Sequence, residues 1–293
     1  MRLKDLLKYD EITIQCHDNP DPDAIASAFG LYKYFTLKGK KARIVYSGPL
    51  KITKSNLLLM ISELEIPVSY VPSKHAKGSA SSPDQNTPVS SLTPEKDFDG
   101  LLITADCQYG QGNVSRLDAD ETAVIDHHNG VCELPLNEIH PELSSCATLV
   151  WKLLTAEGYD ITPDRHLSTA LYYGLMTDTG NFSEISHPLD KDMRDTLIIN
   201  ETQIRRFVNN NITLNEMKIT ADALSGVSCM DEFKCGILKA DECDPNILGI
   251  ISDMALQVSA FDIVVAYGHV SGGYKLSVRS CIKEVMADEF VRK

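Results

Sequence analysis

His17, Asp18, Asp21 and Asp23 fall within seven residues in the stretch CHDNPDPDAIAS. Crowded carboxylates repel one another. A folded chain keeps such a group in a solvated turn or around a cation that offsets the repulsion. Pro20 and Pro22 stiffen the backbone between the acids, which favours a fixed turn over a loose acidic loop. Three other places carry the same side-chain types: Asp106 in ITADC, the triplet Asp126-His127-His128 in AVIDHHNG, and Asp178 in GLMTDTGNF. Imidazole and carboxylate donors, with no cysteine required, suit Mn²⁺ or a similar hard-to-borderline divalent ion. Four such places exceed the needs of one ion. A pair of ions about 3.5–4 Å apart, sharing one carboxylate, would use them all.

Each place has an ordinary reading by itself. DNPDPD can be an Asp/Pro turn, Asp106 an exposed strand-end acid, DHH a helix-capping turn and Asp178 a turn residue. Their common position in the chain argues for the chemical reading. EITIQ (11–15), GLLITA (100–105) and TAVI (122–125) read as strands, and the first three acidic motifs each sit just past a carboxyl end. In open α/β sheets, ligands bind in the crevice outside those ends.

The remaining pattern supplies the frame. DAIASAFGLYKYFTLKG has helical spacing and stops at Gly39, and KARIVYS returns as a strand, so the chain opens β-α-β, the start of a parallel sheet. NLLLMISELEI reads as a helix and VSYV as a third strand. CATLVWKLLTAEGYD and LSTALYYGLMTDTGNF are further helices, the second ending near Asp178. Residues 72–97, rich in Ser, Pro, Gly and Lys, are expected as a long mobile loop, with His75 a solvated residue of it. The expected class is α/β: a parallel-sheet domain with helices on both faces over residues 1–190, a linker helix over 191–222 that includes DMRDTLIINETQIRRFVNNN, and a smaller α/β domain over 223–293. The smaller domain reads as strand FKCGILKA, a helix around NILGIISDMALQ, strands DIVVAYGHV and YKLSVRSC, and a last helix KEVMADEFVRK.

Composition narrows the function classes. At 293 residues the chain is long for one core. The net charge of −13 argues against broad binding to a nucleic-acid backbone, which needs a basic surface. No apolar run approaches the roughly 18 residues that span a bilayer, and the first residues lack a secretory h-region. The eight cysteines form no C-x-x-C pair, and Cys229, Cys235 and Cys243 lack zinc-site spacing, so reduced thiols in a cytoplasmic protein are expected.

HDNPDPDAIAS, ITADC, AVIDHHNG and GLMTDTGNF, in that order, resemble the DHH phosphoesterases, and the tail is similar to the DHHA1 domain that commonly follows. Within that family the chain resembles the bifunctional oligoribonuclease/3′-phosphoadenosine 5′-phosphate phosphatase group. The resemblance implies two Mn²⁺ ions, with Mg²⁺ or Co²⁺ as alternatives. One would be held by His17, Asp21 and Asp106, and the other by Asp23, Asp106, His127 and Asp178, so that Asp106 is shared. It implies that Asp126 orients a histidine, that His128 lies near the substrate phosphate and assists the leaving oxygen, and that Arg279 in SVRS pairs with a substrate phosphate. The expected partners are a short oligonucleotide, dinucleotide or nucleotide phosphate, with no membrane and no extended duplex; a second copy of the chain is a candidate partner.

Hydrolysis of linear or cyclic dinucleotides is the alternative within the family. A non-catalytic nucleotide-binding regulator is the alternative of another class, set against the filled ligand positions. An inorganic pyrophosphatase is disfavoured because no SRKKQ-like basic clamp is present. The family's GGGH segment is also unmatched before Lys293, which implies a shortened sequence or a different grip on substrate.

Overall fold

The computed structural model describes residues 1–72, 96–130, 132–270 and 273–287. Apart from its edges, the loop expected over 72–97, with His75, lies outside the described residues. The chain forms two compact units, Met1–Asn211 and Ile212–Lys293.

The first unit is built on strands β1 (Glu11–Gln15), β2 (Lys41–Tyr46), β3 (Val68–Tyr70), β4 (Leu101–Ala105), β5 (Glu121–Asp126) and β6 (Asn137–Ile139). They pair in parallel in the order β3-β2-β1-β4-β5-β6. The strand order therefore reverses between β1 and β4, which opens a crevice at their carboxyl ends. The α/β class and the parallel sheet are as expected. β6, three residues long, has no period-2 signal of its own.

Helix α1 (Pro22–Leu37) leaves that crevice. Asp21 caps it, accepting the Asp23 and Ala24 amides at 3.0 Å each, and Pro22 occupies the first turn, where a missing N–H costs nothing. It ends at Leu37, and Gly39 just beyond takes a φ of +77°, which suits glycine. Small residues let α1 approach its neighbours closely. A Cβ on Gly30 would stand 2.7 Å from Val150 Cγ1 on α3 (Cys146–Ala156), and one on Gly174 of α4 (Arg165–Asp178) would stand 3.1 Å from Asp23 Cα. Ile12, Ile14, Ile44, Ile103 and Ile125 of the sheet share one buried cluster with α1, α3, α4 and α2 (Ser55–Glu63). Alternate residues Thr13, Gln15, Val45 and Leu102 face the other way. Among the described residues, that second face is covered by Phe98, Tyr109, Leu117 and Ala119 rather than by helices. Among the described residues, the helices pack on the Ile12 face and the 96–120 segment lies over the other, since β4 passes to β5 without a crossover helix.

The linker helix expected over 191–222 is not one helix. The stretch contains most of α5 (Pro188–Thr196), then α6 (Glu201–Val208) and the start of α7 (Leu214–Ser225). Leu197 turns extended after α5, the Asn200 side chain caps α6, and Thr213 with Glu216 forms a capping box that starts α7. α5 and α6 belong to the first unit.

The second unit holds a four-stranded sheet of β7 (Ser228–Met230), β8 (Cys235–Ala240), β9 (Ile263–Val270) and β10 (Gly273–Ser280) in the order β10-β9-β8-β7. β8 and β9 are parallel through α8 (Pro245–Leu256), and the other pairs are antiparallel. Leu238, Val264 and Ala266 bury against Leu248 and Ile251 of α8. The last helix is expected from Lys283; residues 283–284 form a turn, Ala287 is helical, and residues 288–293 lie outside the described residues. Among the described residues no helix is long and apolar enough to cross a membrane.

Candidate metal centre

His17 follows β1, Asp106 follows β4, Asp126 ends β5 and His127 follows it. These ends line the crevice. Asp21 and Asp23 enter on the first turn of α1, and Asp178 on the last residue of α4, brought there by the close α1–α4 packing at Gly174. The structure thus brings His17, Asp21, Asp23, Asp106, Asp126, His127, His128 and Asp178 together at one edge. Arg279 lies on β10 of the second unit, where its Nε donates to Asp253 Oδ1 at 2.6 Å. Asp18 accepts the Ser115 amide and hydroxyl, each at 2.7 Å, so both its oxygens fasten a loop.

Two donor sets meet at Asp106. His17 Nε2 is 3.6 Å from Asp21 Oδ2 and 3.8 Å from Asp106 Oδ2. His127 Nε2 is 3.3 Å from Asp106 Oδ1, 3.3 Å from Asp178 Oδ2 and 3.8 Å from Asp23 Oδ2. His17 with Asp21 and Asp106, and Asp23 with His127 and Asp178, each converge closely enough to share one ion. Asp106, His127 and His128 also converge. However, His128 Nδ1, 3.6 Å from Asp106, is already bonded at 2.8 Å to Asp126 Oδ1, so it offers no lone pair to a cation. Asp106 has a φ of +63°, which few non-glycine residues adopt; aspartate is among those that tolerate it.

Tautomers are set by the partners. His127 Nδ1 is 3.2 Å from the Leu143 carbonyl, an acceptor, so Nδ1 carries the proton and Nε2 turns a lone pair inward. That Nε2 and Asp106 Oδ1 are both buried without a hydrogen-bond partner. Two atoms 3.3 Å apart, both buried and neither hydrogen-bonded, fit a shared cation. The oxygen and imidazole donors match a hard-to-borderline divalent ion.

The charges say the same. Burial, then the charges of Asp23 and Asp21, pushes the Asp106 carboxyl far above its usual range. The same causes raise Asp178 to about 9, with burial first and then Asp23 and Asp21. Asp23 rises to about 6 through burial, although His127 and two amides work against the rise. Asp21 moves the other way: burial would raise it, but the hydrogen bond and charge of His17 outweigh that and lower it. Asp126 is lowered in spite of burial by hydrogen bonds from His128 and Gln108. His128 is raised, chiefly by its bond to Asp126. A divalent ion would relieve the repulsion that lifts Asp23, Asp106 and Asp178.

Several supporting groups escaped the sequence reading: Gln108 against Asp126, the Leu143 carbonyl behind His127, and the Cys146 and Ala147 amides, which donate to Asp23 at 2.7 and 2.8 Å. Only the last had a local signal, since Ser145 reads as a helix N-cap.

Residues 11–175 match the family described as DHH family, N-terminal domain. The chain belongs to the DHH family. Two uncharacterized proteins of Methanocaldococcus jannaschii are related to this DHH chain. One is 26% identical over 273 residues, covering 92% of the chain and 52% of the relative. The other is 27% identical over 188 residues, covering 61% and 48%. The chain spans about half the length of these curated relatives. Among solved structures, an exopolyphosphatase-related protein from Bacteroides fragilis superposes with a TM-score of 0.68 at 18% identity, over 96% of this chain and 82% of the other. A Methanococcus jannaschii protein assigned as a family II inorganic pyrophosphatase gives 0.50 at 18%, over 96% and 90%. At that identity the likeness is one of fold.

Proposed function

We propose that this DHH chain is a divalent-metal-dependent phosphoester hydrolase, with Mn²⁺ the preferred ion, acting on short oligonucleotides or nucleotide phosphates. The observation that carries this reading is the pair of buried, unpartnered atoms, Asp106 Oδ1 and His127 Nε2, at the junction of two donor sets. His17, Asp21 and Asp106 would hold one ion, and Asp23, Asp106, His127 and Asp178 the other. Bound divalent ions supply an acidified water as nucleophile and neutralise charge building on the phosphoryl oxygens.

The chain's own residues do the rest. Asp106 faces both histidines and so fixes the two sets relative to each other. Asp126 holds the Nδ1–H of His128 at 2.8 Å, which leaves Nε2 free. The His128 side chain is 47% exposed, so Nε2 can reach a bound phosphate. Its raised pKa favours an imidazolium, which can pass the Nε2 proton to the leaving oxygen. Arg279 suits bidentate contact with a second phosphate. Its present partner Asp253 is half exposed, and such pairs are weak enough to exchange for a phosphate. The acidic net charge favours short substrates over a long polyanion.

The test is hydrolysis of the dinucleotide pApA and of 3′-phosphoadenosine 5′-phosphate, with Mn²⁺ and in EDTA, alongside cyclic dinucleotide and pyrophosphate. AMP release from either of the first two, abolished by EDTA, is expected. Turnover of pyrophosphate alone would overturn the nucleotide reading. Absence of turnover on all four in folded, Mn²⁺-loaded protein would overturn hydrolysis of these substrates and favour a nucleotide-binding regulator.

A further inference from the structure

The reaction proposed above needs His128 in one orientation and one tautomer. Asp126 supplies the direct contact, and its own orientation depends on what holds its second oxygen. Gln108, two residues past Asp106, is 3% exposed. Its Nε2 donates to Asp126 Oδ2 at 2.7 Å and to the His128 carbonyl oxygen at 3.2 Å. Both partners only accept, so the amide nitrogen must face them and both its N–H groups are used. Asp126 Oδ1 is thereby left to the His127 and His128 amides, at 2.8 and 3.2 Å, and to His128 Nδ1 at 2.8 Å.

A second glutamine reinforces the grip. Gln111 Nε2 donates to the Asn129 carbonyl at 3.0 Å. A Cβ on Gly130 would stand 2.2 Å from Gln111 Nε2 and 2.5 Å from Gln108 Oε1, so the two side chains close over bare backbone there. The segment carrying them is itself fastened to the end of β1. Tyr109 Oη donates to Gln15 Oε1 at 2.6 Å, and Asp18 holds Ser115. The clamp is therefore tied to the strand that delivers His17.

We propose that Gln108 is a positioning residue for His128. By holding Asp126 Oδ2 it keeps Oδ1 on the Nδ1–H of His128, and it fixes the His128 backbone through the carbonyl, so that Nε2 faces outward. The inference rests on the hydrolytic reading for its purpose but not for its geometry. A leucine at 108 would keep the volume and leave Asp126 Oδ2 buried without a donor. A glutamate would set a second carboxylate against Asp126.

The experiment uses Gln108→Leu and Gly130→Ala, the second of which displaces the clamp without removing Gln108. The first readout needs no metal and no activity. In ¹⁵N-histidine-labelled protein at alkaline pH, where the imidazole is neutral, the His128 signal, assigned by its loss in His128→Ala, should report Nδ1–H in the wild type. In both variants it should shift toward Nε2–H or a mixture. The second readout is turnover of pApA with Mn²⁺: kcat should fall about 10- to 100-fold with KM and Mn²⁺ affinity unchanged. If Gln108→Leu does not fold, Gly130→Ala carries both readouts. A wild-type Nδ1–H signal retained in the folded variants would overturn the proposal. So would a loss of Mn²⁺ affinity that accounts for the whole activity change, since it would mark a general structural role. A wild type inert on every phosphoester would defeat the functional reading, while the tautomer comparison would still decide the positioning role.

Discussion

Asp21 and Asp23 are two residues apart at the start of α1, yet they are held in different ways. Asp21 is partly exposed; one oxygen caps its own helix and the other faces His17 at 3.6 Å. Its carboxyl sits below the usual range. Asp23 is fully buried, and both oxygens accept amides from the first turn of α3, across the domain. Even those amides do not offset its burial, and it rises to about 6. Identical side chains on one turn thus differ in charge preference because at Asp21 the His17 imidazole outweighs burial, whereas at Asp23 burial among packed helices outweighs His127 and two amides. The comparison extends to the two donor sets: each joins a half-buried histidine to one buried and one more open carboxylate, Asp106 with Asp21 on the His17 side and Asp23 with Asp178 on the His127 side.

The shared ligand allows the largest break. Asp106→Ala should reduce Mn²⁺-dependent turnover to background and abolish tight Mn²⁺ binding at both sets, because its two oxygens face different histidines. Isothermal titration with Mn²⁺ and the pApA assay check this; substantial turnover in the variant would sink the shared-ligand assignment.

The two helix-start acids sharpen it next. Asp23→Ala strands two buried amides, at roughly 1–3 kcal/mol each. Asp21→Ala removes a helix cap, worth about 1 kcal/mol. Urea unfolding of the metal-free chain, at a pH below the Asp23 value of about 6 so that charge relief does not intrude, should show the larger loss for Asp23→Ala. Equal losses would mean that the α3 amides find other partners.

The last expected effect is in pH. Asp178 is raised to about 9 in the fold. Below the ordinary carboxylate value both folded and unfolded states hold the proton. Above it the unfolded chain releases the proton first, so stability falls as pH rises toward the folded value. The Tm of EDTA-treated protein should therefore decline between about pH 5 and about pH 9, and Asp178→Asn should flatten the decline. Mn²⁺ should oppose it, since ligands bind metal deprotonated. An unchanged slope in Asp178→Asn would show that the charges of Asp23 and Asp21 do not hold the Asp178 proton.

Much of the site was legible because its residues are local to strand ends. Short apolar, β-branched runs give β1, β4 and β5, and each strand leads into a histidine or an aspartate at the sheet's carboxyl edge. Cap chemistry was equally readable where it was missed: Thr213-x-x-Glu216 is a capping-box pattern that divides the expected linker helix, and Asn200 marks another start. β6 and β7, three residues each, are too short for alternation to register.

The sequence by itself determined the ligand types, their order along the chain and their positions at element ends, since these arise from local pattern and side-chain chemistry. Tertiary structure alone decided which ligands meet. Strand order put β1 beside β4 and so Asp106 beside His17. Close packing of α1 on α4 at Gly174 carried Asp178 to His127, and the loop fastened by Asp18 brought Gln108 under Asp126. These are contacts between residues tens of positions apart, fixed by how whole elements fill space, and no local period encodes them.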